Sequence, residues 1–196
     1  MSITEGFLKQ VNTLYQQFQA HDSQYSDRLQ RYRNIEPESA QCLAVLIRAQ
    51  KAKCILEIGT STGYSTLWLA NAAQSTLGHV TTIEIDAERT AQAQTYAQQL
   101  QLKQFIDFKT ADALDFLKQS NEIYDFILLD AERDAYVEYW PYLQKILSKQ
   151  GGMLVVDNVL SHASEVAQFV SLVQANSQYT SVTLAVGAGL LLITPN

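Results

Sequence analysis

The stretch that most constrains this chain is Cys54-Ile55-Leu56-Glu57-Ile58-Gly59-Thr60-Ser61-Thr62-Gly63-Tyr64-Ser65. A short apolar run is stopped by glycine and followed by helical spacing through Leu67, Trp68 and Leu69, which predicts the first strand-turn-helix unit of a parallel sheet. Gly59 and Gly63 let the backbone approach a ligand, and the first amides of the new helix point at it. A dinucleotide site asks for G-x-G-x-x-G, with pyrophosphate against the helix end. Here the pattern is E-x-G-x-x-x-G, with Ser61 in place of the second glycine. Glu57 could accept a hydrogen bond from an ammonium group, which suits an amino-acid-bearing nucleotide better than a dinucleotide. The plain alternative is a tight turn inside a core.

With 196 residues, 47% of them hydrophobic, the chain can bury one good core, so a single domain over 1–196 is expected, with 1–36 as an N-terminal helical extension. A net charge of -6 leaves no electrostatic footprint for nucleic acid or an anionic membrane and favours a small-molecule partner. Cys42 and Cys54 fall on a predicted helix and a predicted strand and read as core residues in a reducing compartment. There is no charged segment followed by an apolar leader, and no run of membrane-spanning length, so the expected location is cytoplasmic.

In chain order, Phe7, Leu8, Val11, Leu14, Tyr15 and Phe18 predict an amphipathic helix over 4–20, covering the site, meeting a second subunit or docking on its own domain. Residues 21–34 are polar and aromatic and read as a loop or frayed helix; the cluster of Arg28, Arg31 and Arg33 reads as a solvated face, with an anion site as the alternative. Pro37 opens a helix with Glu36 and Glu38 near its positive end. Strands are expected at 54–58, 79–85, 105–109, 124–129 and 153–156, and helices at 63–74, 87–101, 113–118, 134–148 and 164–176. Residues 180–186 and 190–194 read as a hairpin around Gly187-Ala188-Gly189. Strands alternating with helices require an α/β, Rossmann-like, mostly parallel sheet covered on both faces, with ligands at the carboxyl ends of the strands; the hairpin makes one edge antiparallel.

The polar residues fall at those ends. Glu84 follows the second strand, where a carboxylate can accept both ribose hydroxyls. Asp112 and Ala113 are placed to line an adenine pocket, though Asp112 also suits a helix N-cap. Asp130, Asp157 and Asn158 offer oxygen ligands, suited to Mg²⁺ or Ca²⁺ and not to structural zinc. Arg133 either holds an anion or a developing alkoxide, or pairs with Glu132 or Asp134. His162 either overlooks the same site or decorates a loop.

Together these stretches resemble the class I S-adenosylmethionine-dependent methyltransferases, specifically the cation-dependent O-methyltransferases that include catechol and caffeoyl-CoA O-methyltransferases and small bacterial relatives. The matching pieces are Leu56 to Thr60 with Thr62 to Ser65, Ile83 to Asp86, Asp130 to Tyr136, Gly151 to Leu160 and Val186 to Leu190. The resemblance implies a seven-stranded sheet with an antiparallel last strand. It also implies that Glu57, Gly59, Thr60 and Ser65 hold the methionine part of S-adenosylmethionine, that Glu84 takes the ribose and Ala113 the adenine, and that Ile35 lies where the family closes over the cofactor. Asp130 touches both cofactor and metal, and Asp130, Asp157 and Asn158 are the metal ligands, for Mg²⁺ first and Ca²⁺ or Mn²⁺ as alternatives. Asp130 and Arg133 are the catalytic pair. A homodimer is implied as well.

Two features depart from the family. Arg133 replaces the usual lysine, and a guanidinium stabilises an oxyanion but does not serve as a base near neutral pH. The segment after Asn158 is shorter than in the caffeoyl-CoA enzymes, which disfavours a bulky CoA ester. The expected function is therefore cation-assisted methyl transfer to a hydroxyl of a small catechol-like or phenolic acceptor. The runners-up are methylation of a hydroxyuridine in transfer RNA, against which the acidic balance counts but which a local patch of Arg28, Arg31 and Arg33 would favour, and a cofactor-binding module with a degraded acceptor site, for which Arg133 is the best argument. An NAD-dependent oxidoreductase is the outside reading.

Overall fold

A computed structural model describes residues 4–196; Met1, Ser2 and Ile3 of the N-terminal extension lie outside the described residues. Seven strands form one sheet: β1 (Cys54–Ile58), β2 (His79–Glu84), β3 (Ile106–Thr110), β4 (Phe126–Leu129), β5 (Met153–Val156), β6 (Tyr179–Leu184) and β7 (Leu190–Pro195). Their order is β3-β2-β1-β4-β5-β7-β6. The first five run parallel, and β7 is antiparallel to both β5 and β6. The expected mostly parallel sheet with an antiparallel last strand is thus observed. The chain reverses between β1 and β4, and that reversal opens the crevice where ligands of such sheets bind.

Alternate residues of the central strands feed two cores. Ile55, Phe126, Leu128 and Val155 face one, whereas Leu56, Ile58, Ile127, Leu129, Leu154 and Val156 face the other. This period of two follows from the pleat. The first core is covered by α1 (Glu5–Asp22), α2 (Pro37–Gln50), α3 (Tyr64–Thr76) and α4 (Ala87–Gln99), the second by α5 (Ala113–Gln119), α6 (Tyr136–Ile146) and α7 (Ala163–Gln174). Among the described residues no helix is long and apolar enough to cross a membrane.

Thr4 caps α1 by accepting the Phe7 amide at 3.2 Å. Phe7, Val11, Leu14 and Phe18 repeat at helical spacing and are all buried, each stabilising by about 1.5–3 kcal/mol. Phe7 meets Trp68 edge-on at 5.1 Å, and Phe18 meets Tyr96 at 5.5 Å. Of the three roles open to this helix, the contacts place it on its own domain. Two elements begin two residues later than the periodicity predicts. Asp125 accepts the amides of Lys53 and Cys54 at 2.9 and 3.0 Å on its carboxylate while its own amide donates to the Cys54 carbonyl at 2.8 Å, and β4 starts at Phe126. The helix expected at 134–148 opens with a tight turn at Arg133–Ala135 before α6 proper.

Candidate active site

The turn after β1 sits at the centre of a cleft of about 760 Å³ along the carboxyl ends of the strands. Gly59 has φ +100°, and a Cβ there would collide with the Asp130 carbonyl; Gly63 has φ +89°, and a Cβ would lie 2.7 Å from that of Ala93. Glycine is required at both places, because the turn is wedged against the end of β4 and against α4. The amides of Gly59 and Thr60 donate to the Ile83 carbonyl at 3.0 and 3.2 Å. The Ser61 amide donates to Glu84 Oε2 at 2.8 Å, and the Asp86 amide to Oε1 at 3.0 Å. Glu84 is thereby fixed at the rim, with lone pairs left for hydroxyl donors.

Glu57 lies near the end of β1, beneath the turn. It is fully buried and accepts from the hydroxyls of Ser65 and Thr82, both at 2.5 Å, and of Thr66. Burial pushes its carboxyl up to about 7 against the pull of these three donors. Thr82 gives its proton to Glu57, so Thr60 donates to Thr82 across 2.5 Å. Of the residues expected to touch the cofactor, Gly59, Glu84, Ala113 and Asp130 line the cleft. Ile35, Glu57, Thr60 and Ser65 do not, being at most 4% exposed. The hydroxyls at the start of α3 turn back toward the strand end and form a layer behind the cleft wall. Asp112 lines the cleft and also caps α5, accepting the Asp115 amide at 3.0 Å.

Across the mouth lies a strap, residues 28–33. Asp22 accepts the amides of Tyr32 and Arg33 at 2.7 and 2.9 Å, Ser61 Oγ donates to the Tyr32 carbonyl at 2.6 Å, and Arg89 Nη2 donates to the carbonyls of Leu29 and Arg31. Arg28 and Arg33 grip Glu132 at 2.9 and 2.6 Å. Burial works against the Glu132 charge, but the hydrogen bond and charge of Arg33, with Arg28 behind, hold its carboxyl below the usual range. Arg28 and Arg31 are exposed, as a solvated face requires, and Arg33 is half-buried, but all three also line the cleft. Local sequence could not show this, because Glu132 lies about a hundred residues on.

Asp130 and Asn158 line the far end of the cleft, with Asp157 beneath them. Asn158 Nδ2 donates to Asp130 Oδ1 at 3.1 Å and to Asp157 Oδ2 at 3.0 Å. Asn158 adopts φ +66°, a left-handed conformation that asparagine tolerates better than most residues. Burial raises both aspartates above the ordinary carboxylate range, with the charge of Glu57 adding at Asp130 and that of Asp130 at Asp157. Asp157 Oδ1 is buried without a partner. Among the described residues no three His, Cys, Asp or Glu side chains gather as a metal site; the third donor here is an asparagine. Rotated by half a turn, a change that side-chain shape alone does not oppose, the amide presents oxygen instead of nitrogen. Two mutually repelling carboxylates, an orphaned oxygen and an amide fit an oxygen-ligated divalent cation.

Arg133 is 7% exposed, lines the cleft, and donates from Nε to Glu165 Oε2 of α7 at 2.8 Å. Its partner is therefore neither Glu132 nor Asp134. His162 also lines the cleft, its Nδ1 2.8 Å from Ser161 Oγ. Sequence reasoning missed Tyr139 and Ile85 at the cleft wall; the first reads as helix core and the second as the end of a strand.

A doubly wound sheet with a crevice at its reversal point, a glycine turn in that crevice and a carboxylate fixed at its rim defines the class of α/β proteins that bind ligands at the strand ends. The sequence profile of the O-methyltransferase family matches residues 14–192. The chain belongs to that family. It is 34% identical over 131 residues to a catechol O-methyltransferase of Niastella koreensis, covering 65% of this chain and 58% of that protein. It is 35% identical over 136 residues to caffeoyl-CoA O-methyltransferase 2 of Populus trichocarpa, covering 66% and 54%. The chain thus spans little more than half the length of these relatives. The O-methyltransferase from Bacillus cereus, solved in complex with SAH, superposes with a TM-score of 0.81 at 25% identity, covering 96% of this chain and 91% of that one.

Proposed function

We propose that the chain transfers a methyl group from S-adenosylmethionine to a hydroxyl of a small catechol-like or phenolic acceptor, with a divalent cation at Asp130, Asp157 and Asn158. The carrying observation is that the glycine turn, Glu84 and the cluster at Asp130 share one cleft. Glu84, held by two backbone amides, accepts the ribose hydroxyls. Ala113 and Ile85 offer apolar surface to the adenine, and Gly59 lets the donor lie close against the strand ends. In the transfer, an oxygen–carbon bond forms as the sulfur–carbon bond breaks, and the sulfonium becomes the thioether of S-adenosylhomocysteine. The hydroxyl proton leaves to water or to His162. Alignment of acceptor and donor in the cleft is worth up to roughly 7–11 kcal/mol. A bound cation would supply Lewis acidity that lowers the pKa of the acceptor hydroxyl. Arg133 carries a fixed positive charge beside Asp130 and does not serve as the base. Solubility without membrane insertion, a cytoplasmic location and a homodimer are part of the same reading.

The test pairs calorimetry of S-adenosylhomocysteine binding, with and without Mg²⁺, with transfer of labelled methyl to catechol. Cofactor binding with cation-dependent turnover is expected. Full turnover after exhaustive chelation would remove the cation from the scheme, and cofactor binding without cation binding would favour a module that has lost its acceptor chemistry.

A further inference from the structure

The chain has six arginines and eight lysines, and they are distributed very differently. Five arginines line the cleft, and no lysine does. Two of the five are committed to the strap: Arg89 donates to the carbonyls of Leu29 and Arg31, and Arg31 Nε donates to the Tyr25 carbonyl at 2.7 Å. The other three surround the segment that ends β4. Arg28 and Arg33 share one carboxylate, Glu132. Arg133 has Glu165 at Nε, and among the described residues its two terminal nitrogens meet no protein acceptor. Arg33 Nε, by contrast, is buried without a partner. Three fixed positive charges face Glu132 and Glu165 and, at the end of the cleft, Asp130 with Asp157 behind it; the donor's sulfonium and the proposed cation then tip this balance toward positive charge.

The Arg133 guanidinium is mostly buried, yet its unused edge stays open to the cleft, where a ligand's acceptors can reach it. Glu165 fixes Nε, so the plane of the guanidinium is set before a ligand arrives. A planar carboxylate matches the remaining edge with two parallel hydrogen bonds, a fit that lysine lacks. Resting on the methyl-transfer reading above, we propose that the acceptor is an ortho-diphenol bearing a carboxylate, that Arg133 binds this carboxylate as a bidentate fork, and that Glu165 is the positioning residue for Arg133. Arg28 and Arg33 add positive potential at the mouth and draw the anion in.

The experiment compares 3,4-dihydroxybenzoate with its neutral isostere 3,4-dihydroxybenzamide, using the full chain with Mg²⁺. Binding is read by calorimetry with S-adenosylhomocysteine present, and turnover by labelled methyl transfer. The acid is expected to bind at least about tenfold more tightly than the amide and to show the same preference in kcat/KM, through KM. Arg133→Gln is expected to bring the acid-to-amide ratio close to one. Arg133→Lys keeps the charge but loses the fork, and should leave an intermediate ratio. Glu165→Gln should lower the ratio by raising KM for the acid, and Glu165→Asp should partly restore it, a pattern that simple destabilisation does not produce. Equal binding of acid and amide by the unaltered chain overturns the inference and leaves methyl transfer standing. Equal losses on both acceptors in Arg133→Gln also overturn it, since the arginine would then serve only the developing phenolate. Preferential methylation of bulk transfer RNA, with the acid displaced, assigns the arginines to phosphate and overturns it too. Arg133-dependent preference for the acid in binding, with no methyl transferred to either compound, upholds the inference and sinks the function on which it rests.

Discussion

Two buried carboxylates, at the carboxyl ends of β1 and β5, are treated in opposite ways. Glu57 has both oxygens occupied by three hydroxyls. Asp157, 1% exposed, keeps one oxygen without any partner and shares the other with an amide that also serves Asp130. A carboxylate with full satisfaction joins β1, β2 and α3 into one rigid wall. A carboxylate left short of partners costs the free protein stability and stores affinity for whatever completes it. Both are strand-end acids in the sequence, and only their surroundings separate wall from site.

The largest effect should come from breaking that contrast at its unsatisfied member. Asp157→Ala is expected to lower methyl transfer by on the order of 100-fold or more, with a melting temperature unchanged or raised, because a buried oxygen without a partner disappears. Glu57→Ala should instead cost on the order of 3 kcal/mol of stability by orphaning its hydroxyl donors. Thermal unfolding of the two variants side by side checks the pair, and similar destabilisation of both would erase the distinction.

A second effect of similar size concerns pH. The Glu57 carboxyl, raised to about 7 from an ordinary 4.5, holds in the folded chain a proton that the unfolded chain has released. Its contribution is fully present below about pH 4.5 and is lost as pH rises toward 7, by on the order of 3 kcal/mol. Glu57→Gln should flatten the melting temperature across that window; an unchanged slope would assign the dependence to the Asp130–Asp157 pair. A smaller effect is expected at the rim. Glu84→Gln can accept only one of its two backbone amides, and its cofactor dissociation constant should rise about tenfold by calorimetry. The smallest belongs to the strap. Its pairs with Glu132 are half-exposed and worth about 0–1 kcal/mol each, so Glu132→Gln should quicken cofactor release only a few-fold and speed hydrogen exchange in residues 28–33.

Much of the frame could be read directly. Apolar runs bounded by glycine located β1 and β5, Pro37 marked the start of α2, and Asp130 and Asn158 reach one cleft because strand ends of a parallel sheet share an edge. The partners of Arg133 and of the strap arginines were not legible, since Glu165 and Glu132 are 32 and about a hundred residues away. Nor was it legible that Glu57 and Ser65 turn toward each other behind the wall.

By itself the sequence determined which segments become strands and helices, and therefore at which edge of the sheet the polar residues collect, because those outcomes depend on local periodicity and on the chirality of strand-helix-strand connections. Only the tertiary structure decided which of those polar groups are satisfied and which are left open. Hydrogen-bond satisfaction and charge pairing depend on short distances between segments remote in the chain, and no local pattern carries that information.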